Sequence, residues 1–149
     1  MTTEYTPAAD LPARKGTWAW VIALLTLVVP GVGAVIGVIV EVFAYHFYNK
    51  QRDVGAVNAR NASNLVISYA IITVACAIVF FAAPVVGALF ASFQLIFYLL
   101  GLLALGVWAL VSLLVVVFAI LGIVAAVQRR SFDPGYVWRV VKGDRVWEV

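Results

Sequence analysis

The chain has 149 residues, 65% hydrophobic and 11% charged, with a net charge of +3. An ordinary soluble domain carries roughly 25% charged residues, and one of this size leaves too much area exposed to hide so apolar a composition. The totals exclude a soluble enzyme and a basic nucleic-acid-binding module, and they leave the lipid bilayer as the solvent for most of the chain.

Residues 1–16 are polar and hold Pro7, Pro12 and Gly16, which reads as a flexible tail. Arg14 and Lys15 precede the apolar "TWAWVIALLTLVV", in the manner of a secretory signal, but no small-residue cleavage site follows and the segment is read as retained. Neither a Met-Gly myristoylation start nor a prenylation box is found.

The first apolar region, 17–48, contains Glu41 and His46 and is broken by "PGVG" at 30–33. It fits one long helix kinked at Pro30, or a hairpin of two short helices. The distribution of basic residues separates the two. All ten Lys and Arg lie at 14–15, 50–60 and 129–145. A hairpin puts the three clusters on one side of the membrane, whereas a single helix splits them. The hairpin is favoured, although its first leg is too short to cross unaided and must be re-entrant or sit where the bilayer is thinned.

The polar stretch 49–62, with Lys50, Arg52 and Arg60, reads as a cytoplasmic loop. Ser63 and Asn64 then offer capping side chains for the next helix. A span at 63–83 has the expected length of ~20 residues. "PVVGALFAS", with Pro84, Gly87 and Ser92, reads as a break, and a third apolar region covers 93–127. That region exceeds the ~30 Å hydrocarbon thickness, so it tilts or begins with an interfacial turn. Its Gly101, Ala104, Trp108 and Ser112 line one face. No charged residue occurs between Arg60 and Arg129, and lipid enforces helices because backbone groups must be satisfied within each segment. In the tail, 128–149, "YVWRVVKGDRVWEV" alternates apolar and polar residues, which predicts a short β-hairpin against the interface. A disordered tail is the alternative.

Among residues that could carry chemistry, Glu41 stands out as an ionisable group deep in an apolar segment, with Tyr45 one turn on and His46 within reach. Together they suggest a proton relay or a cation-coordinating spot. The blander reading makes Glu41 a hydrogen-bonded packing residue and places Tyr45, His46 and Tyr48 in an aromatic belt. Gly33 and Gly37 have the spacing that lets helices approach closely. Cys76 is alone, so neither a disulfide nor a thiolate metal site follows from it. No catalytic motif, cofactor loop or metal-ligand set is present, and one carboxylate with one imidazole is too few for a metal.

The order of a Pro-Gly-broken apolar segment, a charged loop, an Asn-containing re-entry, two further spans and an aromatic-basic tail resembles a widespread family of small uncharacterised bacterial membrane proteins. That family is distantly grouped with the twenty-kilodalton channel component of the chloroplast inner-envelope import translocon. The resemblance covers about residues 18–140. In "RNASNL", Arg60, Asn61 and Asn64 fall on the family's loop motif, and "IVAAVQRRSFDPGYVWRV" follows its exit from the last helix. Leu65 stands where the family has Phe, and Glu41 where it has an apolar residue. The resemblance implies a bacterial inner-membrane location and a role in a protein assembly, without established catalytic residues.

The expectation is therefore an all-α, polytopic transmembrane bundle of three to four segments. Its expected contacts are the anionic cytoplasmic leaflet and other membrane proteins or a second copy of itself, with no nucleic acid.

Overall fold

A computed structural model describes residues 16–27, 32–49 and 54–141. Within them the chain forms four α-helices and no strand: α1 (Thr17–Leu25), α2 (Val32–Asn49), α3 (Val54–Leu89) and α4 (Gln94–Val127). A single 3₁₀ turn, Ala91–Phe93, joins α3 to α4. The all-helical class agrees with the sequence reading, and the first apolar region is two helices.

Glycine contacts fix the directions. Gly101 of α4 lies against Phe80 and Ala83 of α3, and Gly87 of α3 lies against Phe97, so α3 and α4 run antiparallel. Gly37 of α2 meets Thr26 and Val66, while Glu41 sits beside Ser63, so α2 also runs antiparallel to α3. Gly16 lies on Gly55 and Asn58, which starts α1 alongside the start of α3. The result is an up-down-up-down arrangement in which Gly16, Asn49, Val54 and Arg129 share one end. Those residues flank the three basic clusters of the sequence.

The helices differ greatly in length. α3 and α4 have 36 and 34 residues, against 9 and 18 in α1 and α2. At ~1.5 Å per residue, the long pair reaches about 50 Å while α1 and α2 cover only the lower half. Between Gly55 and Thr73, about five turns at 3.6 residues each, α3 is largely buried because α1, α2, α4 and the C-terminal segment surround it there. Beyond Thr73 its only buried residues are Ala83 and Gly87, both facing α4.

The core accordingly lies in the lower half. Ala19 and Trp20 of α1, Ala59, Ala62, Leu65 and Tyr69 of α3, and Val115 and Ala126 of α4 form it, with Phe132 and Val137 of the tail packed against them. Trp20 is its largest fully buried side chain. A Cβ at Gly122 would overlap the Trp20 indole, so only glycine lets α4 approach α1 closely enough to close this core.

Three boundaries differ from the sequence reading. Residues 54–62 are not a loop but the first turns of α3, so Asn61, Ser63 and Asn64 lie inside the helix and cap nothing. The break expected over 84–92 begins later: α3 continues to Leu89 with Pro84 and Gly87 inside it. Proline cannot donate to the carbonyl of Phe80, and that freed oxygen faces Gly101 of α4, where no side chain crowds it. The chain turns instead at 90–93. The β-hairpin expected over 136–149 falls partly outside the described residues. Its described part, up to Val141, is irregular.

Candidate functional site

The lower half of α3 carries two polar features on opposite sides. Asn58, Asn61, Asn64 and Ser68 share one face, since offsets of three, six and ten residues return to nearby angles at 3.6 residues per turn. All four are buried, and all four grip the backbone of residues 130–141. Asn58 Nδ2 donates to Arg130 O at 3.1 Å, and its Oδ1 accepts from Phe132 N at 3.1 Å. Asn61 Nδ2 donates to Phe132 O at 2.8 Å. Ser68 Oγ accepts from Trp138 N at 3.0 Å. Asn64 binds both polar atoms of Val141, accepting from its N–H at 2.7 Å and donating to its C=O at 3.2 Å.

The tail reaches this ladder because α4 ends in a tight reversal. Arg129 N donates to Ala126 O and Arg130 N to Ala125 O, the bond pattern of a Schellman cap. Arg129 itself takes the left-handed conformation at φ 60°, a position usually occupied by glycine. Phe132 then packs edge-on against Trp20, with ring centroids 5.6 Å apart. Pro134 is buried, Gly135 turns with a positive φ, and Asp133 Oδ1 accepts from Gly135 N at 3.0 Å. Arg139 pairs with Asp133 at 3.0 Å on the exposed side.

On the other side of α3, Glu41 of α2 is fully buried. Ser63 Oγ lies 2.8 Å from Ala59 O, 3.1 Å from Glu41 O and 3.4 Å from Glu41 Oε2. The serine has one proton to give, and its shortest contact is to Ala59. Its lone pairs therefore remain open to a proton carried by the Glu41 carboxyl. Oε1 of Glu41 has no hydrogen-bond partner among the described residues, and no cation pairs with the group there.

Comparison with known proteins finds no matching family model, no matching curated protein and no matching solved structure.

The geometry divides the sequence-derived candidates. Asn61 and Asn64 do belong to one constellation, and Arg60, half-buried, stands beside it on the helix surface. Glu41 pairs with Ser63 rather than with Tyr45 or His46; His46 is exposed and Tyr45 half-buried. Gly37 serves packing within the chain, against Thr26 and Val66. Gly33 sits in the first turn of α2 and is half-buried. The α4 face carrying Gly101, Ala104, Trp108 and Ser112 turns toward α3, where Tyr69 OH and Ser112 Oγ lie 3.2 Å apart. No group of three or more His, Cys, Asp or Glu able to hold a metal ion occurs among the described residues.

Sequence reasoning missed Asn58, Ser63 as a partner of Glu41, Ser68 and Trp20. The signal for the ladder was available: four short polar side chains on one helical face, followed 70–77 residues on by a polar tail.

What the ladder can do chemically is bind peptide backbone. Carboxamides supply one donor and one acceptor apiece, and Asn58 and Asn64 use both. They read no side chain and activate no nucleophile.

Proposed function

We propose that this protein is a multi-pass integral protein of the bacterial inner membrane that acts as a non-enzymatic structural or accessory subunit of a membrane protein assembly. The carrying observation is the surface of α3 and α4. In the most apolar stretch of each, only 28% and 22% of the residues are buried within the chain, and Phe81, Leu89, Leu95 and Leu103 are each more than three-fifths exposed. Such a surface asks for lipid or another apolar partner. The gathering of the helix ends that flank the basic clusters favours a cytoplasmic location for that end. The resemblance to small bacterial membrane proteins grouped with an import-translocon component agrees with a role in an assembly. In this reading the ordered polar elements hold the chain's own tail, and no chemistry is required of them.

The test is native purification from membranes with identification of what co-purifies. Stable partners at fixed stoichiometry support the accessory role. A protein extracted by alkaline carbonate, or one that purifies alone and monomeric from mild detergent, overturns it.

A second reading has one specific observation behind it: the buried Glu41, whose Oε1 has no partner among the described residues. An ionisable group at that depth marks an ion or proton pathway by default, and the protein would then be a small channel or transporter component. Glu41→Gln reconstituted in proteoliposomes decides between the two. A proton or cation flux abolished by the substitution supports transport; absence of flux in both proteins leaves the accessory role standing.

A further inference from the structure

The lower half of the bundle presents two incompatible surfaces at the same height, and their conflict defines how the molecule lies in lipid. The tail follows α3 from Asn58 to Ser68, about 15 Å along the axis at 1.5 Å per residue. Its outward side is polar and irregular: Ser131, Gly135 and Tyr136 are exposed, and the Arg139–Asp133 pair has side chains 70% and 49% exposed. Irregular backbone facing hydrocarbon is not tolerated, and exposed charges there are costly.

The outer face of α2 lies at that same height, because Gly37 touches Val66 and Glu41 touches Ser63. From Val35 to Phe43 it is apolar: Val35, Ile36, Ile39, Val40 and Phe43 are exposed, the single carboxylate of the helix is turned inward, and the exposed His46 lies one turn nearer the polar end. The two surfaces are on opposite sides of α3. Asn61 faces the tail and Ser63 faces α2; two residues at about 100° each set them about 160° apart.

The apolar surface is therefore longer on one side of the molecule than on the other. Above the tail, α3 offers residues 69–89, about 30 Å of helix, which equals the ~30 Å hydrocarbon layer. On the α2 side the apolar surface continues about 15 Å further down. Across a bundle roughly 20 Å wide, built from helices packed 8–10 Å apart, that offset corresponds to a tilt of about 35°, inside the ~0–40° range of membrane helices. The ~54 Å of α3 then spans about 44 Å along the membrane normal, close to the ~40–45 Å of a bilayer with its headgroups.

We propose that the protein sits strongly tilted in the bilayer, with the tail-bearing face lifted among the phospholipid headgroups and the outer face of α2 sunk into the acyl chains of the same leaflet. This inference rests on the membrane reading above. The exposed Arg129, Arg130 and Arg139 with Trp138 give the lifted face the basic and aromatic character that suits anionic headgroups. α1 and α2 then do not cross the membrane; α3 and α4 do.

Spin labels attached to single cysteines in a Cys76→Ala background test both levels. The protein is reconstituted in phosphatidylcholine–phosphatidylglycerol vesicles, and each label is compared for collisions with oxygen and with an aqueous nickel chelate. Leu103 reports on the bilayer centre, Phe43 on α2 and Tyr136 on the tail, with Ile39 and Val140 as second positions on the same two faces. The expected result is oxygen-dominated relaxation at Leu103, Phe43 and Ile39, and chelate-dominated relaxation at Tyr136 and Val140. If Leu103 is chelate-accessible, the membrane reading itself fails. If Leu103 is oxygen-dominated but the α2 and tail labels share one environment, the tilt is wrong and the membrane reading stands. Tail labels shielded from both reagents mean that protein covers that face, which also overturns the proposal.

Discussion

Asn64, inside a helix, forms a two-bond pair with the backbone of Val141, at 2.7 Å to its N–H and 3.2 Å to its C=O. A strand partner would meet a residue in the same way, through one donor and one acceptor. Here a single side chain supplies both, so an irregular segment is held at this point by α3.

Replacing Asn64 by Ala leaves both polar groups of Val141 without their partner. The cost of such a loss is about 1–3 kcal/mol for buried groups, and the lower end applies at this half-buried site. The expected outcome is faster tryptic cleavage after Arg139 in detergent, with the helix content unchanged. Unchanged cleavage kinetics would show that the ladder does not hold the tail.

Gly122 and Gly106 make a matched pair on α4. A Cβ at Gly122 overlaps the Trp20 ring, whereas one at Gly106 has nothing within 4 Å. Gly122→Ala should lower the thermal midpoint, at a cost of about 1–3 kcal/mol for overpacking. Gly106→Ala should raise it, since Ala in a helix interior gains roughly 0.5–1 kcal/mol over Gly. Melts of the two variants in the same detergent check the opposite signs.

Arg129 holds a left-handed conformation at φ 60°, which costs a non-glycine residue roughly 1–2 kcal/mol. Arg129→Gly should therefore stabilise the turn or be neutral, since the exposed side chain makes no hydrogen bond among the described residues to set against the strain. Arg129→Val, with a branched β-carbon, should destabilise it by more. Hydrogen exchange at the Arg130 amide, which donates to Ala125 O, reads the cap directly.

Ser63→Ala removes the only side-chain partner that the buried Glu41 has among the described residues. A loss of about 0.5–1.5 kcal/mol is expected for a neutral hydrogen bond of this kind. Glu41→Leu should be close to neutral for folding, because exchanging a buried polar group for an apolar one of similar volume removes a desolvation cost. A collapse of stability in Glu41→Leu would instead mean that the carboxyl holds α2 in place.

The helical class, the division of the first apolar region into two helices and a long last helix beginning near residue 93 were legible in the sequence, because composition and charge distribution act over many residues. The start of α3 was not. Asn58, Asn61, Ser63 and Asn64 favour turns and caps when their side chains compete for the local backbone. In the fold the three carboxamides are occupied by the tail, more than 60 residues away, and Ser63 sits against Glu41 of α2, so the helix runs through them. Pro84 misled for the converse reason: its missing bond matters little where Gly101 leaves the Phe80 carbonyl uncrowded. In the tail, the alternating stretch lies partly outside the described residues; within them, the backbone of Trp138 and Val141 is bonded to side chains of α3. For the candidate site, Asn61, Asn64 and Glu41 could be singled out from residue type alone. Which of them meet could not, because contacts such as Trp20 with Phe132 join opposite ends of the chain.

That last contact has a consequence for biosynthesis. Trp20 is enclosed by Gly122 and Phe132, which are made about a hundred residues after it. At ~5–20 residues per second, α1 waits on the order of 5–20 s for the helix and tail that enclose it. A chain arrested after α3 leaves the indole uncovered on those sides, and the burial of α1 is completed only once the end of α4 and the turn after it have been made.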